Sequence, residues 1–583
     1  MSSAKAAEYH LSPQGDDANP GTPSAPWRTI EKANKDLRPG DTALFLPGEY
    51  SGTICPANSG SEDAPITYRS RDRYNAVLVG SAGIPPVKMS DRDHIAIDGF
   101  RFDPGTEGWV DVERCNGLEI RNCDMVNGGT HYLVLHAVDC ESIRLIDCQF
   151  RKNHFRGDMV HLDRCDRAVI EGCSFSHVGH GPFVLRSCNY AVVRSNLFHN
   201  PWGRNQVIWT SGRVLFESNV VTEALDSAYS ATSAAKHLTI DGIFRFNRIY
   251  GNRYLPMVSG SYVPPKRWAE DVNEPFRMED TRIYHNVLAD NLFRAWRLWG
   301  ITTSGNEFVN NIFSGNDPFG AGIQLTIDPH STDDNRFSHN IICADTPGRT
   351  AVRFGRKLWT TRQANEQGPA YQYWRVFENN IDAVPAFVDP GNADHRLSPS
   401  SAGIDGGRPL TQTSMAGSGR QLPVVDGRWF YDGNGIPGER GDLIAVGSAD
   451  NVARVEKVEL NYYRPAILHL DRDLSWDADS PVSLPWTGDA PDIGVWQGGS
   501  SDAMPVYAVA RPSTVPPGDT VEFEALIHNP EGVREATWEF GDGASAMGFA
   551  ASHTYERIGP YPVRLRLVHA DGYTVRAMLL VKV

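Results

Sequence analysis

The sequence predicts an all-β protein whose largest part is a solenoid of stacked coils, and a recurring turn signature is the main reason. The third residue of this signature is Cys in three coils and Asn in the later ones. It stands at Cys123, Cys148, Cys173, Asn196, Asn219, Asn247, Asn286, Asn311, Asn340 and Asn380. The signatures are first 25 residues apart, then 23, and the spacing later reaches 28, 39 and 40. A repeat of about 20 to 50 residues is typical of a solenoid, a propeller or an array.

Coil length and strand pattern select the type of solenoid. A coil of about 23 residues accommodates three short strands and three turns, and successive coils stack about 4.8 Å apart. Leu118-Glu119-Ile120 and Val192-Val193 read as such strands, and the periodicity of a helical repeat does not appear. Asn tolerates the left-handed backbone conformation, and its amide can bond the Asn of the next coil in a ladder.

This pattern resembles the right-handed parallel β-helix family of carbohydrate-active enzymes, which includes polysaccharide lyases and glycoside hydrolases. Its members carry such a ladder at the turn between their second and third sheets. The resemblance covers residues 85–400. A short amphipathic helix after Pro26-Trp27-Arg28-Thr29-Ile30 is expected to plug the open end of the solenoid, because an uncapped coil exposes core and strand edges.

Four parts are expected along the chain. Residues 8–84 form an N-terminal cap and the first coils, and residues 85–400 form the parallel β-helix with the candidate catalytic region. Residues 408–498 form a small β-rich accessory or cap domain packed on the solenoid. A linker rich in Gly and Ser, at 498–502, precedes a C-terminal module at 505–583.

The C-terminal module carries its own motif. Its centre reads Trp538-Glu539-Phe540-Gly541-Asp542-Gly543, and His553-Thr554-Tyr555 follows. These residues resemble the polycystic-kidney-disease (PKD) domain, which implies an immunoglobulin-like β-sandwich. In secreted degradative enzymes such a domain usually serves as a spacer or as a weak contact to carbohydrate or protein.

The composition limits the kinds of molecule that the protein is expected to bind. A net charge of −15 argues against nucleic acid, and no run of 18 apolar residues predicts a transmembrane span. Most of the nine Cys lie at regular coil positions, which favours buried thiols, and the absence of a CxxC pair argues against structural zinc. We expect a monomer that acts on a polysaccharide, secreted, periplasmic or on the cell surface after removal of a signal peptide. No cofactor is assigned, Ca²⁺ is left open, and metal ligands are unknown.

A cluster of titratable residues emerges when the coils are aligned on Cys115, Cys140, Cys165 and Cys188. Four places before these Cys stand Asp111, His136, His161 and Val184, and two places before stand Glu113, Val138, Asp163 and Arg186. Alternation along a strand places both rows outside, on coils about 5 Å apart. With the adjoining loops, the candidate catalytic residues are His136, Asp158, His161, Asp163, His180 and Arg186. A merely solvated polar face is the alternative.

Aromatic and basic residues nearby could bind sugar. Trp202, Arg204, Trp209 and Trp299 are the candidate substrate-binding residues, with core packing as the alternative for the Trp side chains. Residues 250–282 form a long insertion. We expect it to form one wall of a substrate groove along the face that carries the titratable cluster.

Two shorter motifs resemble other β-helix enzymes. Gly179-His180-Gly181 is similar to an element of polygalacturonases, although the second carboxylate of their catalytic pair is missing beside Asp158. Asp328-Pro329-His330 is similar to the core of alginate C5-epimerases, but Ser331 and Leu325 depart from that pattern.

The residues favour a secreted enzyme that cleaves glycosidic bonds, slightly preferred as a β-eliminating lyase on a uronate-containing glycan. Elimination needs a cation for the carboxylate, a base for the C5 proton and an acid for the leaving oxygen, which His and Arg side chains can supply. Hydrolysis by paired carboxylates, uronate C5-epimerisation and non-catalytic glycan binding or adhesion remain alternatives.

Overall fold

The structure is a computed structural model. The chain is divided into two compact units. It describes residues 6–80, 83–103, 108–126, 133–151, 158–177, 181–199, 212–224, 229–231, 241–253, 257–260, 278–299, 303–328, 334–371, 374–461, 465–496, 506–527 and 530–583. The first unit comprises Met1–Ser211 and Ala224–Ser230, and the second comprises Gly212–Glu223 and Ala231–Val583. The short strand Tyr229–Ala231 straddles this division.

The first unit is a parallel β-helix with three sheets, as predicted. One sheet contains Glu8–Leu11, Thr42–Phe45, Ile66–Ser70, Ile95–Asp98, Glu119–Arg121, Arg144–Ile146, Val169–Glu171 and Val192–Arg194. The second contains Gly48–Ser51, Ala76–Gly80, Arg101–Phe102, Asp124–Val126, Gln149–Arg151, Ser174–Ser176 and Leu197–His199. The third contains Val87–Ser90, Val110–Glu113, Leu133–Val138, Asp158–Asp163 and Gly181–Arg186.

The predicted capping helix is present at Ile30–Asp36. The side chain of Thr29 accepts a hydrogen bond from the backbone N–H of Lys32, which satisfies one of the unpaired donors at the helix start. Ile30 and Ala33 are buried, so one face of the helix packs on apolar residues. A second short helix, Thr361–Gln367, was not predicted, although Thr360 and Gln363 form a capping box there.

The corner of each coil is built differently from the expectation. The left-handed residue is the one before the ladder residue: φ is 54° at Asn122, 57° at Asp147 and 55° at Ser195. The expectation that the ladder Asn itself takes this conformation is therefore wrong. Its task is hydrogen bonding, as where the backbone N–H of Cys173 donates to Oδ1 of Asn196 at 2.9 Å.

The cysteines are buried thiols, as predicted, except that Cys55 is exposed. All nine are free, so the part of the chain described here contains no disulfide. The backbone N–H of Cys115 lies 3.3 Å from Sγ of Cys140, and that of Cys165 lies 3.3 Å from Sγ of Cys188. The sulfur atoms thus fill the corner and accept weak hydrogen bonds from backbone N–H groups of the preceding coil.

The second unit continues the same construction with three further groups of strands. One sheet contains Leu215–Glu217, Ile243–Arg245, Arg282–Tyr284, Glu307–Val309, Arg336–Ser338 and Phe377–Glu378. The next contains Val220–Thr222, Arg248–Tyr250, Val287–Ala289, Ile312–Ser314 and Ile341–Cys343. The last contains Met257–Gly260, Trp296–Trp299, Leu325–Ile327, Thr350–Phe354 and the antiparallel Lys357–Thr360. Small pairs are Met278–Glu279 with Thr303–Ser304, Ala370–Tyr371 with Trp374–Arg375, and Phe387–Asp389 with Asp394–Leu397.

Asn side chains form the predicted ladder through this unit. In each step the Oδ1 of one Asn accepts from both the backbone N–H and the side-chain amide of the Asn one coil earlier, at 2.9 to 3.1 Å: Asn219, Asn247, Asn286, Asn311, Asn340 and Asn380 follow one another. A second ladder, not predicted, runs through Asn252, Asn291 and Asn316 to Gln324. These bonds satisfy backbone groups that the turns would otherwise bury unpaired.

A six-stranded antiparallel sheet follows the β-helix and is anchored to it by buried ion pairs. Its strands are Thr411–Gln412, Pro481–Ser483, Leu443–Val446, Ser448–Glu459, Ala466–Trp476 and Gly417–Val424. Arg245 donates to both oxygens of Asp442 at 2.8 and 2.7 Å, and also to Glu217 at 2.8 Å. Arg282 donates from Nε and Nη2 to Oδ2 of Asp426, at 3.1 and 2.7 Å. One outer face of the β-helix is thereby covered.

The C-terminal module is the predicted β-sandwich of two sheets. They contain Tyr507–Arg511, Thr520–Leu526 and Ala550–Thr554 in one, and Ser545–Met547, Val533–Glu539, Pro560–His569 and Thr574–Lys582 in the other. Trp538 is fully buried in its core. Tyr507 and Val509 pack against Val287, Ile312 and Ile341 of the β-helix. The module therefore covers a second face of the β-helix, which a simple spacer would not do.

The Asn ladder should matter strongly for stability. Replacing Asn286 by Ala removes the three bonds that its side-chain amide donates and the two that its Oδ1 accepts from Asn247. We therefore expect a loss of about 3 kcal/mol in the free energy of unfolding. Urea denaturation followed by tryptophan fluorescence measures it. Asn461→Ala, which removes one exposed bond of 3.4 Å, should cost less than about 0.5 kcal/mol. Equal losses in both variants would contradict a special role for the ladder.

The buried ion pair at Asp442 should be equally sensitive. Asp442→Ala leaves the buried Arg245 without its bidentate partner and should destabilise the protein by about 3 to 5 kcal/mol. The exposed pair of Asp571 with Arg440 is the matched control, and Asp571→Ala should cost less than about 1 kcal/mol. Thermal and urea unfolding of both variants test the difference, and a stable Asp442→Ala protein would refute the anchoring role.

Candidate functional site

The strand register brings the two predicted rows of side chains together on one outer face of the first unit. Asp111 pairs with His136, and His136 pairs with His161 on the next strand. Two positions further along, Asp163 pairs with Arg186. The alternate residues of these strands are buried, so alternation points the rows outward. The register inferred from the Cys ladder is thus confirmed.

Asp111 lies between Lys88 and His136. Its Oδ2 is 3.2 Å from Nζ of Lys88, and its Oδ1 is 3.6 Å from Nδ1 of His136. The side chain of Asp111 is 44% exposed and that of His136 is 28% exposed. Interaction with His136 holds the pKa of the Asp111 carboxyl below its ordinary value, and Lys88 lowers it further, against the opposing effect of partial burial. Asp111 can therefore orient the imidazole of His136 as a carboxylate.

His161 extends this row by one coil. The ring centroids of His136 and His161 are 5.8 Å apart, with the rings at 73° to each other. The two imidazoles are therefore neighbours on adjacent strands of this face.

Asp163 and Arg186 form the second row and bind each other. Asp163 is only 5% exposed, and its two oxygens accept from Arg186 and, at 3.1 Å, from Arg164. Arg186 itself is 51% exposed. Asp163 therefore acts as a buried anchor, and the guanidinium of Arg186 is the accessible member of the pair.

Other predicted site residues are placed only in part. Asp158 begins the strand Asp158–Asp163 and pairs with Leu133 and Gly181, but its side chain lies outside the described residues. The same holds for the side chain of Trp299, which ends the strand Trp296–Trp299 in the second unit. His180, Trp202, Arg204 and Trp209 lie outside the described residues, as do most of the 250–282 insertion and residues 329–330 of the epimerase-like motif.

The structure adds one residue that the sequence analysis missed. Lys88 pairs in register with Asp111, one coil earlier. The Cys ladder starts at Cys115 and so offers no alignment for that coil, although a shift of 23 residues from Asp111 points to Lys88. Trp296, on the same strand as Trp299, belongs to the core.

Within the described ranges, no group of three or more His, Cys, Asp or Glu side chains is arranged to hold a metal ion. No described helix is long and apolar enough to cross a membrane.

Comparison with family models identifies the two kinds of module. Residues 133–264 match the model described as right handed beta helix region, and residues 502–582 match the PKD domain. The chain thus contains a right-handed β-helix region and a C-terminal PKD domain.

Curated relatives cover little of the chain. The uncharacterised protein YwoF of Bacillus subtilis is 32% identical over 97 residues, which is 16% of this chain and 21% of that protein. Alpha-1,3-galactosidase A of Akkermansia muciniphila is 39% identical over 64 residues, which is 10% of this chain and 11% of that protein. The matches therefore span at most about a fifth of the relatives' own length.

Solved structures with similarity to this chain are distant. Pectate lyase Pel9A is 15% identical, covering 71% of this chain and 94% of that one at a TM-score of 0.38. An alginate lyase from Paenibacillus sp. is 14% identical, covering 51% and 95% at 0.35. A lacto-N-biosidase from Eubacterium ramulus is 12% identical, covering 60% and 68% at 0.37.

The interaction between His136 and Asp111 can be tested by titration. In a His136→Phe variant the pKa of Asp111 should rise toward the ordinary value of about 3.9, because its main stabilising partner is gone. Carboxyl ¹³C NMR measures this, with Asp111→Asn to assign the signal. The pKa of Asp139, lowered chiefly by its hydrogen bond with Arg164, should not change. An unchanged pKa of Asp111 would mean that Lys88 alone keeps it low.

Proposed function

We propose that the protein is an enzyme that cleaves an acidic polysaccharide, and that it does so by β-elimination next to a uronate. The observation that carries the proposal is the row Asp111, His136 and His161 beside the exposed guanidinium of Arg186. We further propose that it acts outside the cytoplasm, where polymeric glycans are found. The β-helix region and the PKD domain support this assignment.

Each residue has a role in the proposed reaction. Arg186 binds the uronate carboxylate and neutralises its charge, which acidifies the C5 proton. His136, oriented by Asp111, accepts that proton. The electrons of the C5–H bond form the C4–C5 double bond, the bond from C4 to the glycosidic oxygen breaks, and His161 donates a proton to the leaving oxygen.

Two carboxylates of this face, Asp111 and Asp163, support elimination over hydrolysis. A hydrolase needs one carboxyl group whose pKa is raised, so that it can protonate the leaving oxygen. Asp111 has the opposite shift, because His136 and Lys88 stabilise its ionised form. Asp163 is bound by two arginines. Neither group is suited to the role of general acid.

Hydrolysis is the second candidate, on one specific observation. A segment of 64 residues is 39% identical to alpha-1,3-galactosidase A, whose name denotes a glycoside hydrolase. Asp158, on the strand that carries His161, would then be the carboxylate to consider.

Product analysis on uronate-containing and neutral glycans tests the proposal. Elimination produces an unsaturated uronate that absorbs in the ultraviolet, whereas hydrolysis releases reducing ends without it. His136→Ala should lower the elimination rate by about 10² to 10⁴-fold, because general base catalysis is lost. Arg186→Gln should lower it too, through lost stabilisation of the carboxylate.

The chain provides a matched control for His136. His469 is 29% exposed and lies 3.3 Å from Glu459, much as His136 lies beside Asp111. His469→Ala should therefore leave the rate unchanged. If reducing ends form without ultraviolet absorbance, the reaction is hydrolysis and the elimination proposal is wrong. Full activity in His136→Ala, His161→Ala and Asp158→Ala would exclude this face as the catalytic site.

A further inference from the structure

A row of basic residues crosses an outer face of the second unit. Arg297, Thr326 and Arg353 pair in register on three neighbouring parallel strands. The residues before them, Trp296, Leu325 and Val352, are buried, whereas all three members of the row are half-buried. The row therefore lies on the outside of this sheet.

A third arginine reaches the same place. Nη1 of Arg294 donates to Oγ1 of Thr326 at 3.3 Å. Since neighbouring strands are about 4.8 Å apart, Arg297 and Arg353 flank Thr326 with their backbones about 10 Å from each other. Three guanidinium groups thus belong to a patch centred on one threonine.

Arg353 carries a hydrogen-bond donor that the described residues do not use. Nε of Arg353 is shielded from solvent and has no hydrogen-bond partner among the described residues. Leaving such a donor unpaired is costly, particularly on a charged group. Asp328 stands two positions after Thr326, just past the end of the same strand. Three arginines and one aspartate are thus named around Thr326.

The position of the patch on the second unit is also informative. The accessory sheet covers one face of this β-helix through Arg245 and Arg282, and the PKD domain covers another through Tyr507 and Val509. The basic row lies on the remaining sheet. It thus stands on the face that neither of these two partners occupies.

We propose that Arg297, Thr326 and Arg353, with Arg294, bind an anionic substituent of a glycan, either a carboxylate or a sulfate ester. The planar guanidinium fork matches both groups, and the Thr326 hydroxyl offers an additional hydrogen bond. This inference deepens the proposed function, because it rests on an acidic polysaccharide as substrate. It adds a binding site on the second unit to the candidate catalytic row on the first.

Calorimetric binding of oligosaccharides to the full-length protein tests the proposal. The ligands are a uronate oligosaccharide, its carboxyl-reduced neutral counterpart and a sulfated neutral oligosaccharide. Arg297→Gln and Arg353→Gln should each weaken binding of an anionic ligand about 10-fold or more, since each removes a charge-assisted hydrogen bond. The neutral ligand should bind all proteins equally. Which anionic ligand is affected identifies the substituent.

Two further variants control for charge and folding. Arg362→Gln removes the same charge from an exposed helix of the same unit, where Arg362 pairs with Glu366, and should not alter binding. Arg353→Lys keeps the charge but loses the fork, so its binding should be intermediate. Thermal melting establishes that each variant is folded.

The outcomes separate this inference from the proposed catalytic function. If Arg297→Gln and Arg353→Gln bind every anionic ligand as tightly as the unchanged protein, or if no anionic ligand binds, the inference is overturned. If binding depends on these arginines but no glycan is cleaved, the inference stands and the catalytic proposal fails. If cleavage depends on His136 while binding is indifferent to Arg353, only the catalytic proposal survives.

Discussion

The structure depends on one constraint, which is the hydrogen bonding at the corner of each coil. A left-handed residue turns the chain there, and its N–H donates to the next coil, as from Asn122 to the carbonyl of Ile146 at 2.9 Å. The following N–H is satisfied by a side chain, which is an Asn amide oxygen at 2.9 Å for Asn247. Each corner thus depends on its successor, and the backbone of a coil is paired only within the stack.

This constraint also sets the geometry of the candidate sites. Strands that enter equivalent corners stay in register, so side chains at the same position form straight rows with the spacing of neighbouring strands. The row from Lys88 through Asp111 to His136 shows the result, because each member contacts the next. Rows of this kind need no loop to position them, and the apolar core beneath holds their backbone rigid.

Much of the fold could be predicted from the sequence because the repeat is local. The Cys ladder alone predicts the register of His136, His161, Asp163 and Arg186. The left-handed position is not recognisable from residue type, since it is polar at Asn122 and Asp147 but aromatic at Phe246. Packing of the accessory domain on the solenoid is predicted, but the residues that make the contact are not: Arg245 and Asp442 are 197 residues apart, and no local pattern links them. Strands such as Val287–Ala289, which are apolar throughout, did carry a signal, because burial on both faces implies a covering partner.

The net charge of −15 opposes long-range attraction of an acidic polymer. Charges in solution are screened beyond about 8 to 10 Å at physiological ionic strength, however, so local groups decide what a surface binds. In the proposed binding, Arg186 on the first unit and the arginines around Thr326 on the second are the local groups that meet a carboxylate or sulfate. An acidic remainder would then limit non-specific attraction of polyanions, so that recognition depends on the geometry of a few arginine forks. An acidic protein with basic rows on its outer sheet faces is therefore consistent with selective binding of acidic glycans.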